Sequence, residues 1–435
     1  MGGRHSLALT SDYGVSTTAG DFIGVALDMD RNAIYFSKNG TWMNSASASG
    51  IADGTDYSKA AFSNIYANVA PFVQTYDTQV ATLRTASGRW EGTAPTGFLE
   101  LNQDNLDDTA SKITAWAWIK NQDSDTDNHM LFDRVRGIGE DLQLFESSTV
   151  AEATDANTLQ RFLQRGVQVG NDEKVNTANE SYTLWQWLTG DSATTGTVIP
   201  ADNPPSIAST VITADAGHFS VGTFTGAGGS STIGHGLSAA PEFFLVKRIG
   251  TSGSGWFVYS KSTTDPNNKF LRLQGTNAED SASGAWTPGA TTMGLNESSL
   301  NGINTSGVEH LFIAFRSVPG VCKVGSFTGN FDHNGPYIHL GFKPAWYMTK
   351  DVSSTSSWYI YDSANYPFNS ASVFHTLANN NDAGNAGAFN EQDFLSDGVK
   401  NRGQNNDTNQ SGSTFLYIAM AEIGGNGTLP PIYSR

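Results

Sequence analysis

The chain has 435 residues, 46 of them glycine, with 11% aromatic and only 15% charged residues, a formal net charge of -17 and one cysteine. At about 100–200 residues per domain the length suits two to four domains. The shortage of clustered Lys and Arg excludes a nucleic-acid partner and disfavours anionic membranes, and the acidity serves solubility. A lone Cys322 excludes an intrachain disulfide and any metal site built on several thiolates. The first residues, MGGRHSLALTSDYG, have no apolar run fit for a signal peptide, and no stretch approaches the ~18 apolar residues of a membrane-spanning helix.

In chain order, residues 1–96 read as strands. Ile23-Gly24-Val25-Ala26-Leu27 and Ala33-Ile34-Tyr35-Phe36 flank a polar turn, and Asn39-Gly40 supplies a second, tight reversal. Residues 97–190 hold Ala115-Trp116-Ala117-Trp118-Ile119-Lys120, Met130-Leu131-Phe132 and Thr183-Leu184-Trp185-Gln186-Trp187. Thr158–Gln164 fits a short helix or a strand equally. Residues 191–215, with Pro200, Pro204 and Pro205, read as an extended linker.

From Val221 and again from Val324 the sequence repeats itself. Gly222 pairs with Gly325, Trp256 with Trp358 and Gly307 with Gly412, at offsets of 103, 102 and 105 residues. Gaps fall in Gly/Ser/Asn-rich loops, as they do between copies of one compact domain. Copies two and three span 216–318 and 319–426, with a tail at 427–435. Residues 97–190 are a diverged first copy: Trp116–Lys120 stands where Phe243–Lys247 and Trp346–Lys350 stand later. This copy lacks the V-G-T-F-T-G opening strand, so it is shorter or borrows an edge. Short continuous apolar runs such as Phe243–Val246 and Leu311–Phe315 suit strands buried on both faces. The predicted fold is all-β, a tandem series of antiparallel β-sandwiches.

The run Gly20–Asp28, the acidic turn and Ile34–Gly40 together resemble the core of the SPRY domain, a concanavalin-like sandwich. Val69-Ala70-Pro71-Phe72 resembles a later strand of that domain. Few residues precede the motif, so the resemblance implies either a longer polypeptide or a partner that covers an open sheet edge. The exit stretch Pro95-Thr96-Gly97-Phe98-Leu99-Glu100-Leu101-Asn102 and the tandem F-T-G…H-G-L…P…K…W units resemble tail fibre and tailspike proteins of tailed bacteriophages. That resemblance implies a virion structural protein on a tail or surface appendage, extracellular once released. It would be a homotrimer with repeat faces buried against symmetry mates, touching other virion proteins and a host surface polysaccharide. A purely structural capsid decoration or filament subunit is the second reading, and a polysaccharide depolymerase the third.

Residues that bear chemistry are few. No H-E-x-x-H, P-loop, G-x-G-x-x-G or G-x-S-x-G stands in a fitting context, so no catalytic residue is assigned and the chain reads as a non-enzyme. Asp123, Asp125 and Asp127 open a D-x-D-x-D run like a Ca²⁺ loop, although Asn128 and Arg134 stand where that loop wants Gly and Glu. Asp28, Asp30 and Asn32 solvate the hairpin turn. His235 and His339 recur before Pro241 and Pro344 and read as loop-holding residues. Trp256 and Trp358, kept at one position in two copies, read as core. Trp42 and Trp286, which have no counterparts, are the candidate aromatic platforms for a sugar ring.

Overall fold

The computed structural model describes residues 18, 20–28, 31–63, 95, 113–144, 149–163, 166–189, 196–197, 204–365, 369, 374–386 and 391–421. Val69–Phe72, the exit stretch beyond Pro95 and the tail 427–435 lie outside them. The chain divides into two compact units, residues 1–110 and 111–435.

In the first unit, Ile23–Asp28 pairs antiparallel with Ala33–Lys38, from Ile23 opposite Lys38 to Asp28 opposite Ala33. Asp28 closes the turn by accepting the Arg31 backbone N–H at 3.0 Å and its guanidinium at 2.9 Å. Asn39 and Gly40 both take positive φ, 48° and 81°, as a tight reversal with right-handed strand twist requires. The inner face packs Ala26, Ala33 and Tyr35 on Ile51 of the short helix Ala48–Asp53. The outer face leaves Ile23 and Val25 exposed.

The second unit is all-β and built from the three repeats. In the second, Phe219–Thr225, Glu309–Phe315, Phe243–Arg248, Trp256–Ser260 and Lys269–Arg272 run side by side. In the third, Cys322–Thr328, Thr414–Ala421, Pro344–Asp351, Tyr359–Asp362 and Phe374–Leu377 keep that order. The first repeat starts at Tyr182–Thr189, followed by Ile113–Asn121, His129–Asp133 and Glu140–Leu144. No opening strand flanks it among the described residues. Gly222 lies opposite Phe312, and Gly325 opposite Tyr417. A Cβ on either glycine would stand 2.7 or 2.6 Å from that ring, so the repeat keeps glycine to let the aromatic lie flat across the strand.

A smaller layer covers one face of each main sheet. It is three-stranded in repeats two and three (Ser230–Gly234, Thr292–Asn296, Trp286–Pro288; Tyr337–His339, Gly398–Asn401, Gln392–Leu395) and a hairpin, Leu159–Leu163 with Gly166–Val169, in repeat one. The stretch that read equally as helix or strand is therefore strand. The expected linker is also partly sheet: Ser209–Thr213 pairs with Phe219–Thr225, and Gly196–Thr197 pairs beyond it. The prolines confined the extended reading too broadly, since Val211 and Ile212 are buried core residues.

Strand alternation gives each main sheet two apolar faces. In repeat one, Ala117, Ile119, Met130 and Phe132 face the private layer, whereas Trp116, Trp118, Trp185 and Trp187 face inward. Repeats two and three do the same, and all three inward faces meet in one core that joins Trp116, Trp187, Phe219, Phe243, Phe315, Trp346, Trp358 and Met420. Trp187 stacks on Trp116 at 4.1 Å, meets Trp346 at 5.4 Å and reaches Phe315 at 6.0 Å, touching all three repeats. The repeats are thus not laid end to end. The faces expected to bury against symmetry mates bury against sister repeats of the same chain.

Backbone hydrogen bonds close the arrangement in a ring. Glu152 N donates to Ile249 O at 3.1 Å, Glu279 N to Val352 O at 2.9 Å, and Gly384 N to Gln122 O at 3.1 Å. Each acceptor lies two residues past Lys247, Lys350 or Lys120, so one contact recurs from repeat one to two, two to three and three to one. The second unit is a pseudo-threefold prism. Replacing Trp187 by Ala opens the axis to all three repeats, and by the usual cost of a large-to-small core change should destabilise the unit by about 3–5 kcal/mol. Urea unfolding of that variant should stay a single transition; three separable transitions would show that the repeats fold independently.

Candidate functional site

The residues singled out from sequence do not come together. Trp286 is 1% exposed, sits in the private core of repeat two and donates its indole N–H to Lys269 O at 3.0 Å. It is no surface platform: its neighbours are rich in Gly, Ser and Ala, as in a loop, but Trp286 opens a short strand and its side chain fills the sandwich. Trp42 is half-buried, packed on the small core of the first unit, and lines a shallow hollow with Lys38, Asn39, Thr41, Met43 and Asn44. Trp256 and Trp358 are core residues of the prism.

The acidic run is likewise dispersed. Asp123 accepts from Ser181 N at 2.5 Å, Asp125 from Ala383 N at 2.8 Å and Asp127 from Asn121 Nδ2 at 2.7 Å. Each carboxylate serves a different partner, and among the described residues no three His, Cys, Asp or Glu converge as a metal site. This turn is the part of repeat one that docks on repeat three, through Asp125 and the Gln122 carbonyl. His235 is buried and accepts Leu237 N on Nδ1 at 3.1 Å, which leaves Nε2–H to donate to Gly289 O at 3.1 Å; burial lowers its pKa. Its counterpart His339 is exposed, 3.8 Å from Asp397. Cys322 is buried, and its thiol pKa is pushed up by desolvation.

What the repeats do share is a lysine. Lys120, Lys247 and Lys350 are each fully buried at one aligned strand position. Among the described residues none bonds a carboxylate through Nζ. Lys120 donates to Asn121 O at 2.6 Å and Ser124 O at 3.1 Å, Lys247 to Ser254 O at 2.5 Å, and Lys350 to Asp351 O and to Ser354 O at 3.3 Å. The acceptors are carbonyls of the turn that docks on the neighbouring repeat, so the ammonium folds that turn back against its own strand. Burial pushes all three down to about 8. The alignment already placed these lysines together; their burial was not readable, because charged residues are rarely buried without a paired charge.

Beside Lys120 at this joint lies an ionisable ring. His129 occupies the position of Trp256 and Trp358. Trp118 Nε1 donates to His129 Nδ1 at 2.7 Å, so Nε2 carries the proton and donates to Leu377 O of repeat three at 3.1 Å. Trp358 Nε1 makes the equivalent bond to Arg272 O of repeat two at 2.9 Å. Burial, reinforced by the Lys120 charge, lowers the His129 pKa to about 3 and keeps the ring neutral. Aligning the first copy on Lys120 would have exposed this substitution.

The buried lysines set a pH dependence. The unfolded chain holds each proton up to about 10.5, whereas the native state gives it up near 8. Between those values the unfolded state binds more protons, so this contribution makes stability rise with pH. Chemical denaturation of the intact chain across that window should show a shallower rise, or a steeper fall, in Lys247→Met than in the parent. Parallel pH profiles would mean that Lys247 titrates normally.

Two comparisons place no relative beside this architecture: no curated protein and no solved structure matches the chain. A family model does, over a span that takes in all three repeats of the prism. The chain belongs to the family described as a domain of unknown function (DUF7483), matched over residues 103–423.

Proposed function

We propose that this chain is a non-enzymatic virion structural protein, a tail fibre segment that adheres to host cell-surface glycans. The observation that carries the reading is the closed prism. Three repeats locked on one core form a frame whose joint turns are fixed and whose other loops are left to vary, the arrangement that suits recognition by loops. The phage setting rests on the SPRY-like hairpin and the tandem units, and with it go a virion location and other virion proteins as partners. A second reading, a purely structural appendage subunit, draws on Ile23 and Val25, exposed at 45% and 61% on the first unit's hairpin, which suit contact with another protein.

A glycan array probed with the intact chain separates the readings. Binding to a defined set of bacterial surface glycans is expected; no binding to any would favour the structural subunit, and shortening of a bound polysaccharide would make the chain a depolymerase. We assign the fibre's homotrimer contact to surfaces outside the prism, whose inward faces are occupied. Light scattering after size exclusion should then give three chain masses for the whole chain and one for a fragment of residues 103–423. A whole chain of single mass would remove the trimer.

A further inference from the structure

Repeats two and three share one fold, so residues of one have counterparts in the other. Thr225-Gly226-Ala227-Gly228 and Thr328-Gly329-Asn330-Phe331 leave the opening strand in step. Ala227 N donates to Asn304 Oδ1 at 3.0 Å, and Gly228 N to Asn304 O at 2.8 Å. Asn330 N donates to Asn409 Oδ1 at 3.0 Å, and Phe331 N to Asn409 O at 2.8 Å. Both backbones turn left-handed there, with φ of 74° at Gly228 and 53° at Phe331. Glycine takes that conformation freely, whereas a bulky side chain does so only under strain. The other non-glycine residues with positive φ among the described residues are asparagines and Ser45. Repeat three holds a phenylalanine where its sister holds a glycine, and the ring is 42% exposed.

The loop that carries Phe331 is braced. Asn409, fully buried, donates from Nδ2 to Asn330 Oδ1 at 3.1 Å, Asp332 O at 3.2 Å and Gly403 O at 2.7 Å. Asn334 N donates to Asp332 Oδ1 at 2.7 Å, and Lys400 Nζ to Asn334 Oδ1 at 2.8 Å. His333 Nδ1–H donates to Arg402 O at 3.0 Å, which leaves Nε2 as an acceptor. Past the loop, Ile338 pairs with Val399 as Ile233 pairs with Met293, so Tyr337 stands where Thr232 stands. Lys400 lies directly opposite Tyr337 and ties the loop to that strand. Tyr337 is 46% exposed, with its hydroxyl 3.4 Å from His339 Nδ1, and no other Phe, Tyr or Trp among the described residues is as open to solvent. An exposed ring held at a strained backbone position gives the fold nothing, and such outliers gather where a protein meets a ligand.

We infer that Phe331 and Tyr337, with the polar loop between them, form an open binding surface for a neutral saccharide chain. Each ring offers an apolar face to a pyranose. Asp332, His333, the Tyr337 hydroxyl and His339 are exposed beside them, with the donors and acceptors that sugar hydroxyls use in both directions. A protein partner would want apolar ground between the rings, whereas exposed Asp332, His333 and Asn334 separate them in the chain. The net charge of -17 repels an acidic polysaccharide, and Lys400 is already engaged by the loop. An open platform also admits a sugar in the middle of a longer chain, which a closed pocket would not. The inference deepens the adhesion reading by naming one sugar contact, and rests on that reading for the source of the sugar.

The test uses the intact chain, with trisaccharides of glucose, mannose, galactose and N-acetylglucosamine as probes and calorimetry as the readout. The chain's own second repeat supplies the variants: Phe331→Gly and Tyr337→Thr install residues that the fold already accepts. At least one probe should bind the parent, and the double variant should bind it at least about tenfold more weakly. Phe331→Gly alone should melt no lower than the parent and still lose affinity. No heat with any of the four probes, undiminished binding in the double variant, or a markedly lower melting temperature in Phe331→Gly overturns the site. A double variant of smaller mass than the parent by light scattering would make the rings a contact between copies of this chain, and overturn it too. A glycan array as positive with the double variant as with the parent would sink this site and spare the adhesion reading; trisaccharide binding by the parent with a blank array would do the reverse.

Discussion

The burial of three inward sheet faces against one another is the constraint on which the second unit depends. A sheet with apolar residues on both faces cannot leave either in water. Each repeat covers one face with its own small layer and has nothing of its own for the other. Trp116, Trp118, Trp185 and Trp187 in repeat one, Phe243 and Phe315 in repeat two, and Trp346 and Met420 in repeat three find cover only in each other. The stabilisation is non-directional and grows with buried area, so directional contacts must select the angle at which the sheets meet. The recurring backbone bonds at Ile249, Val352 and Gln122 do this, and the buried lysines hold the turns that present those carbonyls.

Three copies within one chain can diverge where three identical chains could not. At the axis, repeat one pairs Trp118 with His129, repeat two Leu245 with Trp256, and repeat three Met348 with Trp358. A large ring on the middle strand is matched by a smaller one on its neighbour, and a small residue by a larger one, so packing is conserved while the residues are not. The exchange also changes chemistry: the indole N–H of Trp358 reaches its neighbour's carbonyl, and the imidazole of His129 makes the same bond while accepting one from Trp118. The loop of repeat three shows the same freedom at the surface, since Phe331 stands where repeat two keeps Gly228.

The lysine joints show why the second unit behaves as one body. A buried ammonium satisfied only by carbonyls carries a desolvation penalty that a carboxylate partner would usually offset. Lys120 and Lys350 each accept that penalty in return for two turn carbonyls gathered at one point, and Lys247 in return for one. Stability is therefore coupled to the geometry of the junctions. A change in one turn is felt by the repeat that receives it, and through the closed ring by the third.

The order of residues alone determined the duplication, the strand character of each unit, the hairpin about Asp28 and Asn39-Gly40, and the core role of Trp256 and Trp358, because period-two alternation and turn chemistry are local. Whether an apolar face is covered by a sister repeat or by another chain is not a local property, and that is why tandem sandwiches and a closed prism read identically in the sequence. The same gap explains Trp286, whose neighbours look like a loop although its ring fills a core, and the three aspartates, whose spacing suggests one cation although each side chain turns to a partner of its own. Phe331 needed the backbone as well: the order of residues sets it against Gly228, but only the left-handed turn at both positions makes a phenylalanine there a strained and exposed ring.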